Sequence, residues 1–433
     1  MVKTTNDFIN ERKSEGQNVG VINLGCARNL VDSQTILSNL KREGHKITNV
    51  NQSDIAVVNT CSFIDEAKQE SIDTIIDLLE LKKQGKLKKV IVAGCLAQRY
   101  HKELAEEFTD IDAIIGAQKL DSHAIPSNVS MTPKHYAYVK ISESCYNHCN
   151  FCVIPKLKGK FVSRTIESVI EEIKILDKQG ISEVNLIGQD ITAYGMDLYK
   201  ELSLAKLLKE VVKECHNIQW VRLLYAFPAH VTDELIDVIG SHDKICNYID
   251  IPLQHISDHI LAGQNRNITT EGTKVLMQKF RDKVKGGSLR TAFICGLPGE
   301  TEEDFEELLE FIEQTQFDKA GAFVYSHEEG TPSYDMDNQV PDEVKRERMN
   351  RLMNKQQEIS RKKQETAIGS DLRVMIDEMQ KGEENMYIAR SEYDAPDVDG
   401  VIYVHSKDPL APGNFVNVRI TDAYEYDLAG EVI

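Results

Sequence analysis

Three short runs in the first hundred residues, 19–24, 55–58 and 90–93, are apolar and rich in β-branched side chains, and each leads directly into a cysteine. Runs of this kind are what strands buried on both faces of a parallel sheet look like. The cysteines are Cys26, Cys61 and Cys95, spaced 35 and 34 residues apart, about the length of one strand-helix-strand unit. Between them Ile72, Ile75, Ile76 and Leu79 recur at helical spacing, and residues 32–40 have the same character. An open parallel α/β sheet is therefore expected over residues 18–130, after a polar, disordered tail at 1–17. In such sheets the carboxyl ends of the strands share one edge, where ligands bind, so the three thiols should meet there. A lone cysteine is most often a small buried hydrophobe. Three at equivalent strand ends, two of them preceded by glycine, favour a shared iron-sulfur cluster with three protein ligands and one open iron.

From residue 131 strands and helices alternate. Strand candidates lie at 136–142, 183–187, 220–225, 248–251, 290–295 and 320–325, with amphipathic stretches at 166–176, 204–212, 235–239 and 305–312. Six βα units make a curved parallel sheet, a (βα)6 partial barrel. Directly after its first strand stand Cys145, Cys149 and Cys152, a C-x3-C-x2-C spacing. Three thiolates on one loop can hold three irons of a cubane and leave the fourth open to a small molecule. A zinc site is the alternative, but structural zinc takes four closed ligands and the one nearby fourth candidate, His148, sits inside the loop.

Barrel-type active sites are built at the carboxyl rim of the strands, and polar groups stand there at 188–190, 252–255 and 296–301. Each of these segments also reads as an ordinary strand-to-helix turn, with Thr301 and Asp304 as a helix cap, and His255 alone is a weak catalytic candidate. Cys215, Cys246 and Cys295 have no partner spacing and are read as structural. A helix starting at Pro341 and ending near residue 367 closes this domain; its Lys345, Arg346, Arg348, Arg351, Lys355 and Arg361 to Lys363 form a basic face that is either solvated or turned to RNA.

Residues 368–433 change to short strands at 372–376, 387–389, 401–404, 415–420 and 425–428, the pattern of a small antiparallel β-barrel of the OB-like kind. Net charge is −18, and residues 371–433 alone carry 14 acids against 5 bases. Phosphate backbones are repelled by such a surface. Nine cysteines, an odd number, argue for metal ligation over a disulfide framework. With no long apolar run and no apolar centre near Met1, a cytoplasmic protein away from membranes is expected.

The loop from Cys145 to Cys152, with Phe151 at its aromatic position, resembles the signature of the radical S-adenosylmethionine (SAM) enzymes. The order of α/β domain, partial barrel and small β-barrel resembles the methylthiotransferases over nearly the whole chain after Gln17. Supporting motifs are residues 24–26, 59–61, 94–95, 188–190, 296–301 and 325–332, while 28–33, 94–100 and 393–400 are of the RimO type. The resemblance implies two 4Fe-4S clusters, an auxiliary one on Cys26, Cys61 and Cys95 and a radical-generating one on Cys145, Cys149 and Cys152. It implies SAM at the open iron of the latter, with Phe151 meeting the adenine and Gln189 as a further cofactor contact, and a tail of the TRAM type.

The substrate so implied is the β-carbon of an aspartate in the twelfth small-subunit ribosomal protein, free or in the ribosome, with an electron donor such as flavodoxin or ferredoxin. An unactivated C–H bond is beyond side-chain acid-base chemistry, and a cofactor must supply the radical. An acidic tail should attract a basic ribosomal protein and repel tRNA. Two other readings stand beside this one: a tRNA methylthiotransferase acting on a modified adenosine, and a non-catalytic iron-sulfur binding or carrier protein. Ser144, Thr165 and residues 264–266 depart from the family pattern of Gly, Ser-Arg-Pro and a leading Met, none of them at a cluster ligand.

Overall fold

A computed structural model describes residues 16–118, 120 and 129–433; the tail expected at 1–17 lies, up to residue 15, outside them. The chain forms two compact units, one of residues 1–132, 143–145 and 153–164, the other of 133–142, 146–152 and 165–433. The small C-terminal barrel thus belongs to the same unit as the partial barrel.

The first unit runs β1 (Asn18–Asn23), α1 (Ala27–Arg42), β2 (Lys46–Ile47), β3 (Ile55–Thr60), α2 (Asp65–Lys83), β4 (Lys89–Gly94), α3 (Cys95–Arg99), α4 (His101–Glu107) and β5 (Ala113–Ile115). Its sheet has the order β2-β1-β3-β4-β5, with every neighbouring pair parallel. Alternate residues of β3 feed two cores: Ala56 and Val58 pack with Ile75, Leu78, Val90 and Val92, while Ile55 and Val57 pack with Ile36, Leu40 and Ile91. Both faces are covered, which is why these strands carry continuous apolar runs. Ile76, expected on the buried stripe, is 48% exposed; the stripe of α2 passes instead through Ser71, Ile75 and Leu78, and the next residue after Ile75 points about 100° away from it. The edge strands β2 and β5, two and three residues long, are too short to show a pattern in sequence.

In the second unit the strands are β6 (Tyr136–Lys140), β7 (Glu183–Ile187), β8 (Trp220–Leu223), β9 (Tyr248–Asp250), β10 (Ser288–Cys295) and β11 (Lys319–Val324), outside which pack α6 (Ile166–Lys178), α7 (Leu204–Glu214), α8 (Asp233–Ser241), α9 (Asp258–Gly263), α10 (Thr270–Lys283) and α11 (Glu302–Thr315). Four of these helices start on a threonine, Thr165, Thr232, Thr269 and Thr301, whose hydroxyl accepts a backbone N–H of the first turn; each cap contributes about 1 kcal/mol. The strands form two parallel three-stranded ladders, β8-β7-β6 and β9-β10-β11. A single bridge, Val221 to Ile245, links them, so the hydrogen bonding expected to run through six strands is interrupted between β8 and β9. One core continues across the interruption, through Leu186, Leu207, Ile236, Phe280, Phe293 and Phe305.

Much of the basic face of the helix α12 (Asp342–Thr366) is paired. Arg348 pairs with Glu300 and Glu302, Arg351 with Glu302, Glu306 and Glu347, Lys355 with Glu313 and Lys363 with Asp318. These four cations fasten the helix to α11 and the barrel, so part of the basic face read in the sequence is spent inside the protein.

The tail strands β12 (Asp371–Met379), β13 (Met386–Ser391), β14 (Ile402–His405), β15 (Phe415–Ala423) and β16 (Leu428–Val432) close a barrel in the order β12-β13-β14-β16-β15. All pairs are antiparallel except β14 with β16, and the last strand lies at 428–432 rather than 425–428. The segment after β13 covers the amino ends of the partial-barrel strands. Tyr136 and Tyr138 of β6 donate to Asp397, Glu183 of β7 pairs with Arg390 at 2.9 Å and with Arg222 of β8 at 2.8 Å, Tyr248 of β9 donates to Asp399, Arg290 of β10 pairs with Asp399 and Lys319 of β11 with Asp394. Every strand of the partial barrel contributes. Asp377, Asp394 and Asp399 therefore neutralise cations inside the protein, and the acidity of residues 371–433 is only partly available to an outside partner. Among the described residues no helix is long and apolar enough to cross a membrane.

Candidate functional site

In the first unit, Cys26 precedes α1 directly, Cys61 follows β3 and Cys95 opens α3, so all three thiols stand at carboxyl ends of neighbouring parallel strands. All are free, and Cys61 and Cys95 are buried. The glycines before two of them are required. Gly94 has φ +95°, and a Cβ there would stand 2.6 Å from the Thr60 carbonyl oxygen; one on Gly25, at φ +88°, would stand 3.0 Å from the Cys61 sulfur.

Side chains from α1, β3 and α2 pin the three ends together. Asn29 donates to the carbonyls of Leu24 and Thr60 at 3.0 and 3.1 Å, Asn59 donates to the Asn29 carbonyl and Ser33 hydroxyl, Thr60 donates to the Ala93 carbonyl, and Ser71 bonds both backbone groups of Cys61. The Cys95 thiol lies 3.8 Å from Asn29 Oδ1. Burial pushes the Cys95 thiol up to about 12, against the pull of the Lys158 ammonium. At Cys26 burial acts the same way, but Arg28 and the Asn29 backbone N–H outweigh it and hold the thiol below its ordinary range. Lys158, at the end of α5 (Ile154–Lys158), is buried between Asp32 at 3.0 Å and Glu143 at 3.5 Å. Sequence reasoning missed Asn29, Ser33 and Lys158, although two of them lie within the motif 28–33; their work is visible only once the three strand ends are side by side.

The second cysteine set lies on the loop after β6; Cys145 falls in the first unit and Cys149 and Cys152 in the second. In the second unit the loop is held by residues 263–266. The Asn150 backbone N–H donates to Gln264 O at 3.1 Å and its side chain to Gly263 O at 2.7 Å, Asn265 donates to His148 O at 2.8 Å, and the Gln264 side chain accepts from Ser333. Arg266 reaches the Cys149 sulfur at 3.4 Å and the Pro252 carbonyl at 2.6 Å, with its guanidinium 4.4 Å over the Phe227 ring. Phe151 packs against Ile260, Leu297 and Tyr325. Gln189 follows β7 at the same rim and is half-buried. Its neighbour Asp190 receives Asn147 of the cysteine loop at 2.7 Å. His255 is buried, 3.6 Å from Glu300, and Glu300 is taken up by the backbone N–H groups of Gly296 and Leu297 and by Arg348; this is a rim-stiffening contact.

Among the described residues no three His, Cys, Asp or Glu stand close enough for a single metal ion. The donor sets fit cubane clusters in chemistry: two groups of three thiols outside any disulfide, each on strand-end loops, with a cationic donor at one sulfur of the second. A cubane is itself wider than an ion, so its ligands stand further apart.

The family model described as "Uncharacterized protein family UPF0004" matches residues 18–116, that of the Radical SAM superfamily residues 139–312 and that of the TRAM domain residues 368–433. A protein of Desulforamulus reducens named ribosomal protein uS12 methylthiotransferase RimO is 43% identical over 96% of this chain and 99% of its own length. Proteins of the same name in Caldanaerobacter subterraneus and Flavobacterium psychrophilum are 44% and 42% identical, over 96% and 95% of this chain and 100% and 97% of theirs. The chain belongs to the RimO family.

As a RimO-family protein it is a radical SAM methylthiotransferase, with SAM and iron-sulfur clusters as cofactors. Among solved structures it resembles the radical SAM methyltransferase TsrM of Kitasatospora setae, with TM-score 0.51 and 16% identity over 73% of this chain and 77% of that one. It also resembles the cobalamin-dependent radical enzyme OxsB, with TM-score 0.51 and 14% identity over 80% of this chain and 56% of that one. At these identities the likeness is one of fold.

The three departures from the RimO pattern have local explanations. Ser144, in place of the usual glycine, takes φ +64° and is secured by its hydroxyl donating to Gly159 O at 2.6 Å, which offsets part of the cost of that conformation. Thr165 caps α6. Residues 264–266 form the cradle just described. Replacing Arg266 by glutamine removes the positive donor at Cys149, and hydrogen bonds to cluster sulfurs raise reduction potentials. The expected result is a lower midpoint potential in an anaerobic titration followed by electron paramagnetic resonance, with iron retention on that loop down on the order of 10-fold; an unchanged potential would mean that the contact is inert.

Proposed function

We infer that this protein inserts a methylthio group at the β-carbon of an aspartate in ribosomal protein uS12, with Cys145, Cys149 and Cys152 holding the cluster that binds SAM and Cys26, Cys61 and Cys95 holding an auxiliary cluster. The identity to uS12 methylthiotransferases over 96% of the chain carries the substrate. The two sets of three thiols, none of them in a disulfide, support the division of cofactors.

When bound, the clusters and SAM supply a carbon-centred radical and a sulfur to be transferred. The chain's own residues do the rest. Asn147, Asn150 and Arg266 orient the loop of Cys149 and Cys152, Gly25 and Gly94 keep the first-domain edge clear of side chains, and Asn29, Asn59 and Thr60 keep its three strand ends in register. In this reading Phe151 meets the adenine of SAM and Gln189 is a further contact to that cofactor. The domains so used are 18–130, 131–367 with its linker helix, and 368–433. A cytoplasmic location, uS12 taken free or in the ribosome, and reduction by a flavodoxin or ferredoxin complete the proposal, with tRNA outside it.

The test is anaerobic reconstitution followed by incubation with SAM, a reductant and uS12. Iron matching two cubanes, 5′-deoxyadenosine and a methylthio-aspartate in uS12 are expected. Iron for one cluster would refute the two-cluster proposal, and deoxyadenosine with an unmodified uS12 would refute the substrate.

A further inference from the structure

At the rim of the second unit Asp190, which receives Asn147 of the cysteine loop, is the centre of a wider hydrogen-bonded group. This side chain is 1% exposed. Its Oδ1 accepts from the backbone N–H groups of Thr192 and Ala193 at 2.9 and 3.2 Å and from the Thr192 hydroxyl at 2.5 Å. Its Oδ2 accepts from Asn147 at 2.7 Å and meets His230 Nδ1 at 2.8 Å. A carboxylate surrounded by donors in this way accepts a hydrogen bond from the imidazole, which keeps the hydrogen on Nδ1, pointing at Asp190, and turns Nε2 away from it.

His230 ends the short turn Pro228–His230 that follows β8. Its side chain is 19% exposed, and its ring meets the edge of Tyr146, a residue of the cysteine loop that is 44% exposed. On the other side it touches Phe227, the ring beneath Arg266. The imidazole therefore stands beside the cysteine loop, anchored on a buried carboxylate and partly open to solvent. Two other cations of this rim are already engaged: Arg266 by Cys149 and Pro252, Lys345 by Asp342.

The target of methylthiolation is an aspartate whose β-carbon carries the reacting C–H bond, one bond from its carboxylate. Fixing that carboxylate fixes the carbon, and orientation of this kind is a main source of rate. We propose that His230, oriented by Asp190, receives the carboxylate of the target aspartate and is a specificity-determining residue of this enzyme. In that complex the ring, in its imidazolium form, lies between two carboxylates and donates one N–H to each. The inference rests on the methylthiolation of uS12 proposed above.

The experiment measures binding of uS12 to the reconstituted holoenzyme in the presence of SAM, together with KM and kcat, for the native enzyme, His230→Ala and His230→Gln. Each is paired with native uS12 and with uS12 whose acceptor aspartate is replaced by asparagine. A charge-assisted hydrogen bond corresponds to about 10-fold or more in affinity. Native uS12 should bind either variant at least about 10-fold more weakly, with KM raised and iron content unchanged, whereas the asparagine form should bind native and variant enzymes alike. Equal losses with both forms of uS12, loss of iron in both variants, or no loss at all would overturn the role assigned to His230. If the native enzyme methylthiolates some other molecule and leaves uS12 untouched, it is the substrate that has been misassigned.

Discussion

Cys149→Ala is expected to abolish both 5′-deoxyadenosine formation and methylthiolation, while Cys26→Ala abolishes methylthiolation and leaves deoxyadenosine formation in place. The two variants separate because the two thiol sets are built differently. Cys149 is on a loop whose backbone is gripped by residues 263–266 and whose sulfur meets Arg266. Cys26 is on a strand end tied to Cys61 and Cys95 through Asn29 and Asn59. Removing one of three ligands opens a second iron of that cluster and leaves the other set intact. Quantifying deoxyadenosine and modified uS12 in the same anaerobic reaction checks this. Loss of both products in Cys26→Ala, with the iron of the other cluster retained, would contradict separate roles.

Glu183→Ala should be the most destabilising change outside the cysteines. Glu183 is fully buried between Arg222 and Arg390, themselves almost without solvent contact. Burial raises its pKa, but the two guanidinium groups outweigh this and hold it below the usual glutamate range. Deleting the carboxylate leaves two buried cations facing each other, a loss of about 3–5 kcal/mol and on the order of 10 °C in thermal midpoint. Because the folded-state pKa is depressed, this stabilisation is present above the unfolded glutamate pKa and is lost as pH falls through the folded value. Arg390 belongs to the tail barrel, so the variant should also yield that barrel more readily to limited proteolysis. A midpoint within a few degrees of the native protein would show that water or relaxation replaces the pair. Glu183→Gln, which keeps one acceptor, should lose less.

The elements that position chemistry were legible wherever a local pattern carried them. Strands β3 and β4 show as continuous apolar runs because both of their faces are covered, and the cysteines that follow them mark the binding edge. The Thr301 cap, with Asp304 bonding back to it, follows from residue types alone. What escaped depends on pairing across long sequence separations. The charge of residues 371–433 counts as strongly acidic in sequence, yet Asp377, Asp394 and Asp399 are matched by Arg390, Lys319 and Arg290, so tail charge is a weaker guide to partner than the count suggests. Arg348 and Arg351 look like a basic face until the glutamates of α11 are placed opposite. Arg266 stood in a segment notable only as a departure, and it touches Cys149 across 117 residues. Periodicity also placed Ile76 on the buried face of α2, where it lies at the margin and is 48% exposed, while Ile72, Ile75 and Leu79 of the same set do pack on the core.

The most direct measurement of the central claim is mass spectrometry of uS12 from cells with and without this gene, and from cells carrying Cys26→Ala. A methylthio increment on one aspartate, present with the native gene and absent in the other two strains, is the predicted result. An increment that persists without the gene, or an unmodified uS12 with the gene present and active, would contradict it.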